Sequence, residues 1–186
     1  NTSVSVAEDA LFDAPRLKAL DAVPLALNGN GAFFATNLTA YRDSDIPIVP
    51  GRDFRPGSLT DIYASRVSVS QGMSFRVAAT SYATPEDWRW SGTLFSADGA
   101  GSLLDLSSLQ SIATPGGGYD SRYPDEYSIV ASNGGVIDLS GLESVLGART
   151  DTYNNDDWLS LSVNSDGRLL LSSLKETVRR VKFNIA

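Results

Sequence analysis

The sequence predicts an all-β chain folded as a parallel β-solenoid of about six coils. Three observations carry that expectation: one segment type recurs along the chain, a short alternating strand precedes it each time, and a turn rich in glycine, asparagine or aspartate joins the two.

The recurring segment is clearest over 101–112, 135–145 and 167–177, where a glycine is followed by apolar residues and further leucines at fixed intervals. In register, Leu106, Leu139 and Leu171 coincide, as do Leu109, Leu142 and Leu174. Two weaker copies place Phe33, Ala35, Leu38 and Tyr41, and then Phe12, Ala14, Leu17 and Leu20, on the same positions. A sixth runs through Gly72, Phe75 and Val77, with Thr80 expected where the others carry leucine. Positions 14, 35, 77, 106, 139 and 171 then correspond, and the wide interval from 35 to 77 leaves open whether a seventh coil lies there.

Each copy reads as strand, corner, strand and bend. The leading strands are Val4-Ser-Val6, Leu25-Ala-Leu27, Val67-Ser-Val69, Leu94-Phe-Ser96, Ile129-Val-Ala131 and Leu159-Ser-Leu161-Ser-Val163, whose period-two alternation marks a half-buried strand. The corners include Asn28-Gly-Asn-Gly31, Asp98-Gly-Ala-Gly101, Asn133-Gly-Gly135 and Ser165-Asp-Gly167, where glycine is expected to supply a positive φ. The three-residue step from Leu106 to Leu109 and again to Ile112 bends the chain onto a third face. Antiparallel hairpins at the Asn-Gly turns are the rival arrangement. Stacking is preferred because like positions recur, so each coil buries its leucines against its neighbours. A leucine-rich repeat needs a period of roughly 20–29 residues and an Asn or Cys ladder, and neither is maintained. A capping helix over Ala7–Leu20 is broken by Pro15. The chain therefore reads as one domain over 1–186, with 1–23 an N-terminal coil or cap, 24–177 the central coils and 178–186 a C-terminal cap strand. A second reading of that last segment is docking to an acidic neighbouring domain.

Composition narrows the chemistry. The 186 residues contain no cysteine and no histidine, which removes disulfides, thiolate metal sites, cysteine nucleophiles and the commonest general base. Carboxylate, Tyr, Lys or Arg chemistry, or metal held by oxygen, is what remains. A formal charge of −7 disfavours nucleic acid or an anionic membrane as partner. No apolar run approaches the roughly 20 residues of a membrane-spanning helix, so membrane insertion is not expected.

Strings such as Gly-Ser-Leu-Leu-Asp-Leu-Ser-Ser-Leu at 101–109 and Asn-Gly-Gly-Val-Ile-Asp-Leu-Ser-Gly-Leu at 133–142 resemble the degenerate repeats of large bacterial extracellular proteins that form right-handed parallel β-helices. The resemblance covers about 94–178 clearly and the upstream part faintly. It implies a right-handed β-helix at the cell surface or outside the cell, within a larger chain carrying neighbouring domains, and it carries over no catalytic residue.

The variable connections between copies, at 42–57, 84–90, 115–127 and 148–158, leave from equivalent positions and are expected to project from one edge, where function would sit. Three end alike, in Glu86-Asp87-Trp88, Asp125-Glu126-Tyr127 and Asp156-Asp157-Trp158. Two readings stand side by side: Trp88, Tyr127 and Trp158 form a row that stacks sugar rings, or they close the corner of each coil while the acids solvate the loop. The less regular Trp90, Tyr119, Tyr123 and Tyr153 are further ligand-binding candidates. Asp151, Asp156 and Asp157, with Asp120 and Asp125 in the preceding loop, are the candidate calcium ligands, although no EF-hand or Gly-Gly-X-Gly-X-Asp spacing is present. Asp105 and Asp138 fall on equivalent strand positions as an outward ladder that a cation would also suit. Apart from possible Ca²⁺, no cofactor is expected.

Three functions remain open. A non-catalytic extracellular binding or adhesion module, contacting glycan or a surface through the loop edge, is preferred. A polysaccharide lyase or glycoside hydrolase would use Asp87, Asp125 and Asp157 on neighbouring coils with Arg89, Arg122 or Arg149 nearby. A structural spacer of a larger surface protein would bind nothing. The oligomeric state is not legible in the sequence.

Overall fold

A computed structural model describes residues 2–85, 92–115, 126–147 and 158–186. Among these the chain is all-β, without helix, and every strand pairing is parallel. The strands come in sets of three. In order they are β1 (Val4–Val6), β2 (Leu11–Asp13) and β3 (Ala19–Asp21); β4 (Leu25–Leu27), β5 (Ala32–Ala35) and β6 (Ala40–Arg42); β7 (Asp45–Ile48) and β8 (Asp53–Pro56); β9 (Arg66–Ser70), β10 (Ser74–Arg76) and β11 (Ser81–Ala83); β12 (Gly92–Asp98), β13 (Leu103–Asp105) and β14 (Ser111–Ala113); β15 (Glu126–Ser132), β16 (Val136–Asp138) and β17 (Ser144–Leu146); β18 (Trp158–Asn164), β19 (Arg168–Leu170) and β20 (Glu176–Val178); and last β21 (Val181–Ile185). The set of β7 and β8 has only an isolated bridge, Ala40 to Asp61, at its third position.

Strands of like position pair with one another, never with their neighbours in sequence. First-position strands form β1-β4 and β7-β9-β12-β15-β18-β21; second-position strands form β2-β5-β8 and β10-β13-β16-β19; third-position strands form β3-β6 and β11-β14-β17-β20. None of these sheets closes on itself. The Asn-Gly corners thus join strands of different sheets, and the hairpin alternative is excluded. The register explains the choice: Leu104 faces Ile137, which faces Leu169, and Ile112 faces Val145. Like inward positions stack, and one apolar core extends from Val6 to Leu161, with Leu169, Leu171, Leu174 and Val181 packed against it.

Several of the expectations change. The interval left open at 35–77 holds an additional copy, and the connection expected over 42–57 is instead β7 and β8: β8 pairs with β5 so that Ala35 faces Pro56, and Leu59 and Ile62 are fully buried where Leu38 and Tyr41 are in the copy before. Among the described residues there are accordingly seven second-position strands rather than six, and β21 is one more first-position strand. Phe12, Phe33, Phe54 and Phe75 form a ladder with successive ring centroids 5.2, 5.9 and 6.0 Å apart. In the copy through Val77, Ala79 rather than Thr80 is buried, and Thr80 is exposed. Its bend from Arg76 to Ser81 is one residue shorter than that from Asp105 to Ser111, which shifts the inward position by one.

Glycines at the corners serve two purposes. Asn133 and Gly134 both have positive φ, 52° and 81°, as the corner was expected to need. Gly135 and Gly167 do not. There a Cβ would sit inside contact distance of the backbone carbonyls of Ala97 and Ala131 in the preceding copy, so it is close approach that excludes a side chain.

The sheets are interrupted where proline faces the gap. Arg66 N–H donates to Ser44 O (3.0 Å), so alternate residues Ser44, Ile46 and Ile48 turn toward β9 and Pro47 turns toward β4, where it has no N–H to offer. Asp53 and Gly57 donate to Gly31 O and Ala35 O on β5's side, leaving Pro56 toward β10. The first-position break therefore falls one copy before the second-position break. The segment expected as a cap strand contains β21, which adds one more parallel strand beside β18 and leaves Phe183 and Ile185 exposed.

Candidate functional site

Three long connections separate a third-position strand from the next first-position strand. Their strand anchors are in register: Ala83 faces Ala113, which faces Leu146, and on the return Gly92 faces Tyr127, which faces Leu159. Adjacent parallel strands lie about 4.8 Å apart, so the three connections begin and end side by side. Connections earlier in the chain, through Ala22, Asp43 and Ala64, are short turns with positive φ. First-position strands lengthen where the long connections occur: β12, β15 and β18 each have 7 residues against 3 in β1 and β4.

Most candidates named from the sequence lie on those connections. Asp87, Trp88, Arg89, Trp90, Tyr119, Asp120, Arg122, Tyr123, Asp125, Arg149, Asp151, Tyr153, Asp156 and Asp157 fall outside the described residues. Tyr127 and Trp158 are described, and they do not share a position. Tyr127 faces Leu159, whereas Trp158 faces Glu126. A slip of one residue moves a strand side chain to the opposite face. Hence Tyr127 is fully buried in the core while Trp158 is only partly covered.

Trp158 is engaged by the last strand. The Lys182 ammonium lies 4.3 Å from its ring centroid and the Arg180 guanidinium carbon 6.0 Å from it, a cation–π arrangement worth about 0.5–2 kcal/mol. Beside it Ser160 donates to the Glu126 carboxylate (2.7 Å), and Asn184 donates to Ser160 (3.2 Å) and Ser162 (3.3 Å). One strand further, Thr93 and Ser128 hydroxyls meet at 3.0 Å. The outward side of this sheet is thus a lattice of hydroxyls and amides with one aromatic at its rim. At the first corner of that sheet, Ser132 and Asn133 both donate to Asp98 at 2.7 Å and hold its carboxyl below the usual range.

The acidic ladder has local partners. Asp105 and Asp138 face each other in register, as the sequence indicated. Asp105 accepts from the Ser107 backbone (3.0 Å) and hydroxyl (2.6 Å) and lies 3.6 Å from Arg76, while Asp138 accepts from the Ser140 backbone (2.9 Å). Each carboxylate is turned into its own bend, which lessens the repulsion between them. Among the described residues no group of three or more acidic side chains is placed to hold a metal ion.

What sequence reasoning missed is a polar cluster around Arg42, Asp61 and Tyr63, contributed by consecutive copies. Its signal was the constant 21-residue spacing of Asp21, Arg42 and Tyr63, visible only once the copy at 45–62 is recognised. No family model, curated protein or solved structure matches this chain.

Proposed function

We propose that the chain is a right-handed parallel β-helix whose long connections project from one edge, and that it serves as a non-catalytic binding or adhesion module outside the cell. Glycan, or a surface that presents glycan, is the ligand, with the residues at 86–91, 116–125 and 148–157 as the contact and calcium as an aid to ordering the acidic connection at 151–157. Its resemblance to bacterial surface repeats makes it one part of a larger chain.

The observation that supports this reading is the register of the anchors: Ala83, Ala113 and Leu146 stand in one row, so three chemically rich connections start from one line on a rigid body. A scaffold that holds variable loops side by side is the usual arrangement for recognition. The connections concentrate Trp88, Trp90, Tyr119, Tyr123 and Tyr153 among carboxylates and amides, a mixture suited to the apolar faces and hydroxyl edges of sugars.

The test is a glycan array probed with and without Ca²⁺, using the protein and a variant in which the three connections are replaced by Gly-Ser linkers. Binding by the parent and its loss in the folded variant is the expected result. Binding to nothing in either condition, or equal binding by the variant, overturns the assignment to the loop edge.

A further inference from the structure

Between the copy of β7 and β8 and the next one, the third-position sheet is interrupted. Asp61 bridges back to Ala40, while β11 pairs forward with β14 and forms the edge of its sheet. The interruption opens a groove of about 490 Å³ lined by Arg42, Thr60, Asp61, Tyr63, Ser81 and Ala83. That volume falls within the roughly 300–1,000 Å³ of small-molecule sites.

The groove is preorganised. Ala40 carries too little side chain to cover the row above it, so Asp61 reaches across to Arg42, accepting from Nε at 2.8 Å and from Nη2 at 2.6 Å on one oxygen. Its other oxygen accepts the Tyr63 backbone N–H at 3.1 Å. The hydrogen bonds from Arg42 hold the Asp61 carboxyl below the usual carboxylate range, so at neutral pH it is an acceptor only. Arg42 has five N–H donors and also has Asp21 3.8 Å from its Nη1. Tyr63 is 42% exposed, and the other large exposed apolar side chains among the described residues all lie in the first copy or the last strand. Ser81 and Ala83, which line the groove with it, are small.

We infer that this groove is a binding site for a neutral saccharide, with the Tyr63 ring as the platform for a pyranose face and the Arg42–Asp61 pair reading its hydroxyls. The charge balance selects the class. Asp21 and Asp61 outweigh Arg42, which repels phosphate, sulfate and uronate groups. A hydroxyl both donates to a carboxylate and accepts from a guanidinium, so a diol can engage the pair without breaking it. The inference rests on the reading of the chain as a glycan binder, and adds a second contact on the β-body, one that ends at Ala83 where the first long connection starts.

The test is an amide-resolved NMR titration of the ¹⁵N-labelled protein with cellotetraose, maltotetraose and chitotetraose, and with tetragalacturonate as an anionic probe. Saturable shifts at 60–63 and 81–83 with a neutral probe are expected. Tyr63→Ala should weaken binding by about tenfold or more, the scale of losing an aromatic anchor, Tyr63→Phe should largely retain it, and an unchanged urea midpoint confirms that the variants fold. Shifts confined to residues 84–85, 92–93, 113–115 and 126–128 overturn the groove and leave the loop-edge reading standing. Tighter binding of tetragalacturonate at the groove overturns the neutral class. No shift with any probe overturns the groove, and with a blank array it overturns both readings.

Discussion

Replacing Phe54 by alanine tests whether the additional copy at 45–62 is integral to the core. Its ring lies 5.9 Å from Phe33, 6.0 Å from Phe75 and 6.1 Å from Tyr41, and so links three copies at the place where two sheets are interrupted. A fully buried Phe→Ala change costs about 3–5 kcal/mol. Phe54 is only partly buried, which reduces the transfer part, while each ring contact adds about 0.5–1.5 kcal/mol beyond area. The balance is a loss of about 2–4 kcal/mol. Phe12→Ala is the internal reference, because Phe12 is 40% exposed and touches one ring, Phe33; about 1 kcal/mol is expected there. Both are read from urea unfolding followed by far-ultraviolet circular dichroism, comparing midpoints at constant slope. If Phe54→Ala costs no more than Phe12→Ala, the ladder does not run through position 54 and the register of β8 is wrong.

Leu142→Ala should cost about 2–5 kcal/mol, being a fully buried truncation, whereas Lys175→Ala, which removes a 3.0 Å bridge to Glu143 between largely exposed side chains, should change stability by less than about 0.5 kcal/mol; equal urea midpoints for the two would contradict the inward assignment. Gly167→Ala should cost about 1–3 kcal/mol or more, since the new methyl meets the rigid backbone of Ala131 rather than a movable side chain, and a melting temperature equal to the parent's would show that the copies are not so closely apposed. Burial pushes the Tyr41 phenol up to about 12 and raises Tyr82 further. Because the unfolded phenols ionise near pH 10, both contributions are fully present below about pH 10 and decline above it, and that of Tyr41, on the order of 2–3 kcal/mol, is lost as pH rises through about 12. Stability measured across that window should fall steeply in the parent and less steeply in a Tyr41→Phe, Tyr82→Phe double variant; identical slopes would place both hydroxyls in water.

The parts of the fold that were legible are those where one residue type holds one position. Leu106, Leu139 and Leu171 announce themselves because the same cavity in successive copies selects the same side chain. The copy at 45–62 was hidden because Pro56 occupies the leucine position and Asp53 and Arg55 stand at the outward positions that Ala32 and Phe34 fill in the copy before, although Phe33, Phe54 and Phe75 mark it at intervals of 21. Similar strings misled where register decides. The acid-acid-aromatic endings at Tyr127 and Trp158 look alike, yet pairing sets them one residue apart, one in the core and one outside it. Thr80 was matched to leucine by counting, and a bend shorter by one residue gave that role to Ala79. The groove had no contiguous motif, only the 21-residue spacing of Asp21, Arg42 and Tyr63, since Arg42, Asp61, Tyr63 and Ser81 come from three copies and meet only through stacking.

The staggered interruptions at Pro47 and Pro56 have a mechanical consequence. One sheet parts between β4 and β7, the others between the copy of β8 and the one that follows, so no single plane crosses three open sheets at once. The set of β7 and β8 is bonded backward through β5 and forward through β9, in the manner of a lap joint in carpentry. Along that staggered path no strand pairing joins the two sides, β8 staying with β5 and β7 with β9, so under tension along the stacking direction the joint is expected to open before the continuous sheets downstream.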